Sequence, residues 1–400
     1  MKNVSLIKRI FLALVFGIIL GTVCKTANIV FPVRILSTFS ELFGNFLSFI
    51  IPFIIIAFIV PGIATLGKKS GKALIITTIL AYVSTIIAGI ASFALGSVIL
   101  PKLIKAASLV SDSSINVDSY FTIEIPAILN IMSALVLAFI LGIGLSNIKN
   151  SSLLKGFEEF STIISKIISN VLIPLVPVYI AAIFAKLTLT GEIFTTLKSF
   201  ASVYIVLFSL QISYLLCQYS IAGMLHKKNP LKLIRTMIPA YLTAVGTQSS
   251  AATIPVTLAS AKENNVSEEV ADLVIPLCAT IHLAGDTITL VLTSMGVMLM
   301  NGQTPELKLM IPFILMLGIT MIAAPGVPGG GVMAALGLLE STFGFGNLEK
   351  PIMIALHSAQ DSFGTATNVT GDGALALIVD YFIKKKSPKA YDSENESVSL

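Results

Sequence analysis

Long apolar runs separated by short basic stretches dominate this chain. Eight of them are long enough for helical membrane spans: about 10–30, 42–66, 73–100, 122–147, 160–186, 200–225, 270–300 and 352–383. A helix needs roughly 20 mostly apolar residues to cross the hydrocarbon core. Two further stretches, about 233–261 and 309–345, are interrupted near their middle. The first break reads GTQSSAATIP (Gly246 to Pro255) and the second APGVPGGGV (Ala324 to Val332). Non-helical backbone at membrane depth survives only where protein buries it or where it lines a cavity. Both stretches are therefore expected to be re-entrant helical hairpins with their tips inside the membrane. The expected fold is all-α and integral to the membrane, with eight spans and two hairpins.

Composition agrees. Hydrophobic residues make up 55% of the 400 and charged residues only 12%, about half the usual soluble share. The net charge of +5 resides in loops and carries no expectation of a nucleic-acid partner. Its placement orients the chain. Lys2, Lys8 and Arg9 precede the first span, and Lys68, Lys69 and Lys72 separate the second and third. Lys227, Lys228, Lys232 and Arg235 follow the sixth, and Lys384, Lys385, Lys386 and Lys389 follow the last. With hairpins that return to their own side, all four clusters fall on one face, which is cytoplasmic by the positive-inside rule. Both termini are then cytoplasmic in a plasma (inner) membrane. The first hairpin enters from the cytoplasm and the second from outside, the pattern of a transporter with inverted repeats and discontinuous helices at its substrate site. The stretch 101–121 reads as an external loop and 385–400 as a cytoplasmic tail. The N-terminus MKNVSLIKR leads straight into the first span without a small-residue cleavage site, so that span is expected to be retained. Cys24, Cys217 and Cys278 lack metal-ligand spacing, which argues against zinc and against a disulfide scaffold.

The chemistry concentrates in the last span. There DSFGTATNVTGD runs from Asp361 to Asp372. A carboxylate in hydrocarbon costs roughly 2.5–3.5 kcal/mol on insertion scales, so it marks a polar site. Eleven residues are about three helical turns, which puts both aspartates on one face, with Thr365 and Asn368 between them. Such a stripe suits a small polar solute and a cation. The first break puts hydroxyls and small residues where free helix N-termini can meet an anion. The second has glycines that permit exposed carbonyls and hinge motion. In the seventh span, CATIHLAGDTIT sets His282 and Asp286 four apart on an expected common helical face, either as an ion or proton site or as a self-neutralising pair. His226 and His357 are read as bland.

In TQSSAATIP, HLAGDTIT, APGVPGGGV and QDSFGTATN, taken in this order, the chain resembles the dicarboxylate/amino acid:cation symporter family, which includes the glutamate transporter homologues. Within it the sequence is most similar to the bacterial sodium/serine-threonine symporter branch. The resemblance implies a homotrimer with an elevator fold. A scaffold domain would comprise 1–66 and 122–190, and a transport domain 67–100 and 198–384. It implies a substrate site at Gln248, Ser249, Ser250, Val327, Gly329, Asp361, Gly364, Thr365 and Asn368. There the Ser250 N–H and the Asn368 amide hold an α-carboxylate. Asp361 holds the α-ammonium, helped by Thr365 and by carbonyls at Gln248 and Val327.

Sodium is the implied coupling ion, with no other cofactor. One site would use Asp372 with carbonyls of Cys278, His282 and Asn368. A second would use Thr280 with carbonyls of Met321, Ile322 and Ala324. The chain departs from the family in four places. Leu283 stands where a methionine is usual, and HLAGD replaces NMDGT, so the Asn and Asp of a third cation site are gone. Gly364 and Gln248 stand where acidic-substrate relatives carry arginines. Without a guanidinium, a second substrate carboxylate would be buried unpaired, at a cost of several kcal/mol. The expected function is sodium-coupled uptake of a small neutral amino acid, not an enzymatic activity. The alternatives are proton coupling through His282 and Asp286, a larger neutral substrate and, remotely, an intramembrane aspartyl enzyme.

Overall fold

The computed structural model describes residues 6–68, 72–104, 117–148, 150–191, 193–322, 324 and 329–384. Among them there is no strand. The order begins with α1 (Leu6–Ala27), α2 (Phe31–Lys68), α3 (Lys72–Leu103) and α4 (Ile131–Ser146). After these come α5 (Ser152–Ile167), a π-helical turn (Ile168–Leu172), α6 (Ile173–Thr190) and α7 (Ile193–His226). Short α8 (Pro230–Thr236) leads into α9 (Ile238–Thr247) and α10 (Ser250–Glu263). The chain closes with α11 (Glu268–Ile281), α12 (Ala284–Met300), α13 (Leu307–Ile322), α14 (Gly330–Phe343) and α15 (Glu349–Lys384).

Six helical stretches have the length and hydropathy to cross a membrane among the described residues: Lys8–Ala27, Phe31–Ala64, Leu74–Leu103, Ser152–Thr190, Thr196–His226 and Glu268–Met300. The other two expected spans differ for opposite reasons. α4 has 16 residues, because residues 122–130 are not helical. α15 has 36 residues and is long enough, but its polar stripe lowers its hydropathy. The lipid-facing pattern is explicit on α3, where Ile75, Ile79, Val83, Ile87 and Ile90 are exposed at i,i+4 and i,i+3 spacing along one side. The same exposure recurs on α1 at Phe11, Leu12, Phe16, Ile19 and Val23. In water this would be an aggregating surface, and in a bilayer it is the solvent-facing side.

Two packing groups follow. α1 lies along α6, and α2 packs on α4, α5 and α6. The α1–α6 approach depends on Gly17 and Gly21, four residues apart on one face. A Cβ at Gly17 would stand 2.5 Å from the Ala181 carbonyl oxygen, and one at Gly21 would stand 2.6 Å from that of Ala185. This is the small-residue seam that lets membrane helices approach closely. In the second group α15 is surrounded by α7, α9, α11 and α12, while α3 packs on α12. Buried Lys350, near the start of α15, pairs with Glu340 at 2.6 Å and donates to Ser48 Oγ of α2 at 2.8 Å, so its charge is not left alone.

Both interrupted stretches are helix–break–helix units. α9 ends at Gln248, in a left-handed conformation (φ 54°). Ser249 then caps α10, its side chain accepting from the Ala252 N–H. At the second break Gly329 (φ 75°) precedes α14, and glycine adopts that conformation without steric penalty. Residues 325–328, including Val327, lie outside the described residues, as do 105–116 of the expected external loop and the 385–400 tail. Beyond α10, Lys262 reaches Glu268 at 3.0 Å and Asp272 at 2.9 Å. Hydrogen bonds to Asp272 and then Glu268 hold its ammonium above the ordinary lysine range.

The expected span 270–300 has the length and hydropathy to cross as Glu268–Met300, but it is not one continuous helix. It breaks at His282 (φ −110°, ψ 91°) and Leu283 (φ −114°, ψ 54°), so α11 and α12 meet end to end. The apolar period continues through the break, and hydropathy alone therefore does not reveal it.

A candidate substrate and cation site between the helix breaks

The backbone breaks at 248–249 and 282–283 and the start of α14 at Gly329 converge on the middle of α15. Between them lies a small cavity of about 30 Å³. Gln248 and Ser250 of the first break line it, with Thr280, Leu283 and Ala324. Asp361, Thr365 and Asn368 of α15 form its floor, and Ala279, Asp286 and Gly331 complete it. The spacing 361–365–368 is one helical face, so a continuous helix presents three polar side chains to one space. No arginine or lysine is among these lining residues.

Each carboxylate has donors. Asp361 Oδ2 accepts from the Gly329 N–H at 2.9 Å, so the positive end of α14 faces it. Asp286 is held from two sides. Gly285 N–H donates to Asn368 Oδ1 at 2.7 Å, which fixes the Asn368 amide and turns its Nδ2 toward Asp286. Asn368 Nδ2 then donates to Asp286 Oδ2 at 2.6 Å. The opposite oxygen, Oδ1, lies 2.6 Å from His357 Nε2. Gly331 sits directly over this pair, because a Cβ there would stand 2.7 Å from Asp286 Oδ1. Acceptors of one carboxylate, one ring nitrogen and a second carboxylate (Asp286, His357, Asp361) lie within 4.8 Å of one another, and all three residues are buried.

Farther along α15 is a second polar node. Asp372 Oδ1 lies 2.8 Å from His282 Nδ1. His282 Nε2 lies 2.9 Å from Ser84 Oγ of α3, which also accepts from Gln218 Nε2 at 3.0 Å. The other oxygen, Asp372 Oδ2, is buried without a hydrogen-bond partner among the described residues. The Cys278 carbonyl faces the break and accepts the His282 N–H at 2.9 Å. A buried carboxylate oxygen without a partner is costly unless a cation or proton meets it, and hard oxygen donors of this kind suit sodium.

The sequence-predicted residues are thus divided between two nodes. Gln248, Ser250, Thr280, Ala324, Asp361, Thr365 and Asn368 share the cavity, with Ser249 and Gly329 at its edges. Cys278, His282 and Asp372 gather beside it. Met321 and Ile322 end α13. Gly364 is not among the lining residues; its backbone carbonyl packs against Gly285, and a Cβ on it would meet the Gln360 amide at 3.2 Å. Two expectations about histidines are corrected. His282 and Asp286 do not pair on a common face, since the break between them sends His282 to Asp372 and Asp286 to His357. His357 is not bland. It stands four residues before Asp361, and extending the stripe back by one turn would have found it. His226, by contrast, donates its Nε2–H to the Leu377 carbonyl at 2.8 Å, tying α7 to α15.

A multi-pass helical protein whose broken helices enclose a polar cavity at the middle of a lipid-length helix is a membrane transporter. The chain belongs to the sodium:dicarboxylate symporter family, whose model matches residues 6–382. It is 27% identical over 404 aligned positions to a serine/threonine transporter of Acinetobacter baumannii, covering 96% of this chain and 99% of that one. It is 31% identical over 181 positions to human excitatory amino acid transporter 5, covering 44% of this chain and 32% of that protein. An excitatory amino acid transporter of Caenorhabditis elegans is 25% identical over 292 positions, covering 71% of this chain and 58% of that one. Family and relatives are transporters, which removes the intramembrane-enzyme reading.

Proposed function

We propose that this chain couples sodium entry to the uptake of a small neutral amino acid, serine-, threonine- or alanine-like. The observation that carries the reading is the charge of the cavity. It offers the Asp361 carboxylate to an ammonium group and has no guanidinium or lysine ammonium among its lining residues for a second substrate carboxylate. The likeness to a serine/threonine transporter supports the same substrate class, and family membership supports sodium coupling.

In this reading the α-ammonium sits at Asp361 and Thr365. The α-carboxylate sits at the N-terminus of α10, at the Ser250 N–H, where first-turn amides have no helical partner. One Asn368 amide hydrogen goes to Asp286, and the second is left for that carboxylate. Gln248, Ser249 and Gly329 close the tips, and Gly364 of α15 packs closely on Gly285 of α12. Sodium is bound as cargo by Asp372 Oδ2 with the carbonyls of Cys278, His282 and Asn368. A second ion would use Thr280 with the carbonyls of Met321, Ile322 and Ala324. The packing groups support a scaffold of α1, α2, α4, α5 and α6 and a moving unit of α3 and α7–α15, working as an elevator within a homotrimer in the plasma membrane, with both termini cytoplasmic.

The test is uptake into proteoliposomes. Labelled serine should accumulate with an inward sodium gradient and fail to accumulate with potassium. Unlabelled alanine or threonine should compete, and aspartate and succinate should not. Effective competition by aspartate would overturn the neutral-substrate reading.

A further inference from the structure

Asp286 is the one carboxylate of the cavity that the proposed binding of an amino acid does not use. It lines the cavity, yet its own sequence neighbours are apolar or small, and no lysine or arginine pairs with it among the described ion pairs. Its orientation is fixed twice over. The Gly285 N–H sets the Asn368 amide, that amide donates to Oδ2, and His357 Nε2 reaches Oδ1. Asp286 is therefore an acceptor toward Asn368. A carboxylate has about four lone-pair sites, so two bonds leave acceptor capacity for a ligand.

We infer that Asp286 reads the substrate side chain, selecting an amino acid whose β-carbon bears a hydrogen-bond donor, a hydroxyl or an ammonium. The inference rests on the amino-acid reading of this cavity and sharpens it. The geometry sets the length of the ligand. Asp361 and Asp286 present acceptors within 4.8 Å of one another. Donors on adjacent carbons, the α-ammonium and a β-substituent, reach two acceptors that close together. A donor at the end of a long side chain does not. A β-methyl group would leave Asp286 desolvated without a new partner, and a β-carboxylate would meet it as a like charge. Removing a hydrogen-bond donor from a ligand is discriminated strongly where the site's own polar group is left unpaired.

The experiment measures equilibrium dissociation constants for the purified full chain in sodium buffer, using four ligands of nearly equal size: alanine, serine, 2,3-diaminopropionate and aspartate. Serine and 2,3-diaminopropionate should each bind about tenfold or more tightly than alanine, the scale of one charge-assisted hydrogen bond, and aspartate should not bind. In Asp286→Asn the serine-to-alanine ratio should collapse toward one, and the advantage of 2,3-diaminopropionate should vanish. The wild-type series decides the matter even if the variant does not fold. Equal binding of alanine and serine by the wild type overturns the role of Asp286 while leaving the neutral amino-acid reading intact. Binding of none of the three non-acidic ligands, or preferred binding of aspartate, overturns both. The ordering should persist in EDTA; an ordering lost with EDTA would mean that a metal at Asp286, His357 and Asp361, not the carboxylate itself, reads the ligand.

Discussion

α1 against α6 and α15 against its neighbours are both long helices packed inside a bilayer, and they are held by different physics. The first contact is steric. Gly17 and Gly21 lie against backbone carbonyls of α6, while the outer face of α1 is exposed apolar surface. The second contact is polar. Asp361, Asp372 and Asn368 are buried in α15 and are met by a backbone N–H, by His282, by Asp286 and by Gly285. A lipid environment gives little hydrophobic drive between helices, so close packing can supply one interface and hydrogen bonding the other. The carboxylates and histidines buried around α15 meet one another across helices, whereas the α1–α6 contact is made by glycines against backbone.

The comparison can be broken most severely at Asp361. Asp361→Asn should abolish amino-acid binding, by about 100-fold or more, since losing one partner of a buried charge pair costs roughly 2–5 kcal/mol. Sodium binding and helix content should remain, as checked by calorimetry and circular dichroism; normal uptake by the mutant would contradict the assignment.

Next comes Gly364→Arg. The Gln360 amide is the nearest obstacle to its side chain, and it is the movable end of a flexible residue. The guanidinium would be an unpartnered charge in the buried packing beside Gln360, one turn from Asp361 and Asn368, so neutral uptake should fall roughly tenfold or more, at about 1.4 kcal/mol per tenfold. Aspartate should gain relative to serine in competition. Unchanged neutral uptake with no competition by aspartate would show that this position does not face the substrate side chain.

Asp372→Asn acts through the cation. Sodium affinity should drop, and substrate affinity should drop by the same factor, on the order of 5–150-fold for typical couplings, because linkage is reciprocal. Serine binding titrated against sodium reads both. A normal sodium dependence would remove Asp372 from the cation site.

The mildest change belongs to the other region. Gly17→Leu should lower stability by about 1–3 kcal/mol, the usual overpacking cost, because the obstacle is the Ala181 backbone and cannot turn away. Serine affinity of the folded protein should be unaltered. A changed affinity would show that the two regions are coupled.

Much of this molecule is legible in its sequence, and particular residues show where legibility stops. The exposed isoleucines of α3 and the apolar runs announce a membrane protein. The glycine-rich and serine-rich breaks announce non-helical tips, because few other residues tolerate the left-handed geometry seen at Gly329. The Asp361–Asp372 stripe is readable because helical spacing alone puts it on one face. The break at His282–Leu283 is not readable as such: His282, Gly285 and Asp286 mark a polar spot, but the four-residue spacing of His282 and Asp286 equally fits a continuous helical face. The pairing of His282 with Asp372 and of His357 with Asp286 depends on that break and on side chains 90 and 71 positions apart. Local spacing carries no information about such partners. Gly331 is similar: its need to be glycine comes from the Asp286–His357 pair above which it sits.

The proposed function rests on a cavity with one carboxylate facing a substrate ammonium and no guanidinium among its lining residues. Thermal unfolding of the purified protein tests it most directly, with serine, alanine and aspartate each added in sodium and in potassium buffer. A ligand that binds only the folded state raises the unfolding temperature by mass action. Serine should raise it in sodium and leave it unmoved in potassium, and aspartate should leave it unmoved in both. Stabilisation by aspartate in sodium, or by serine equally in potassium, would contradict the account.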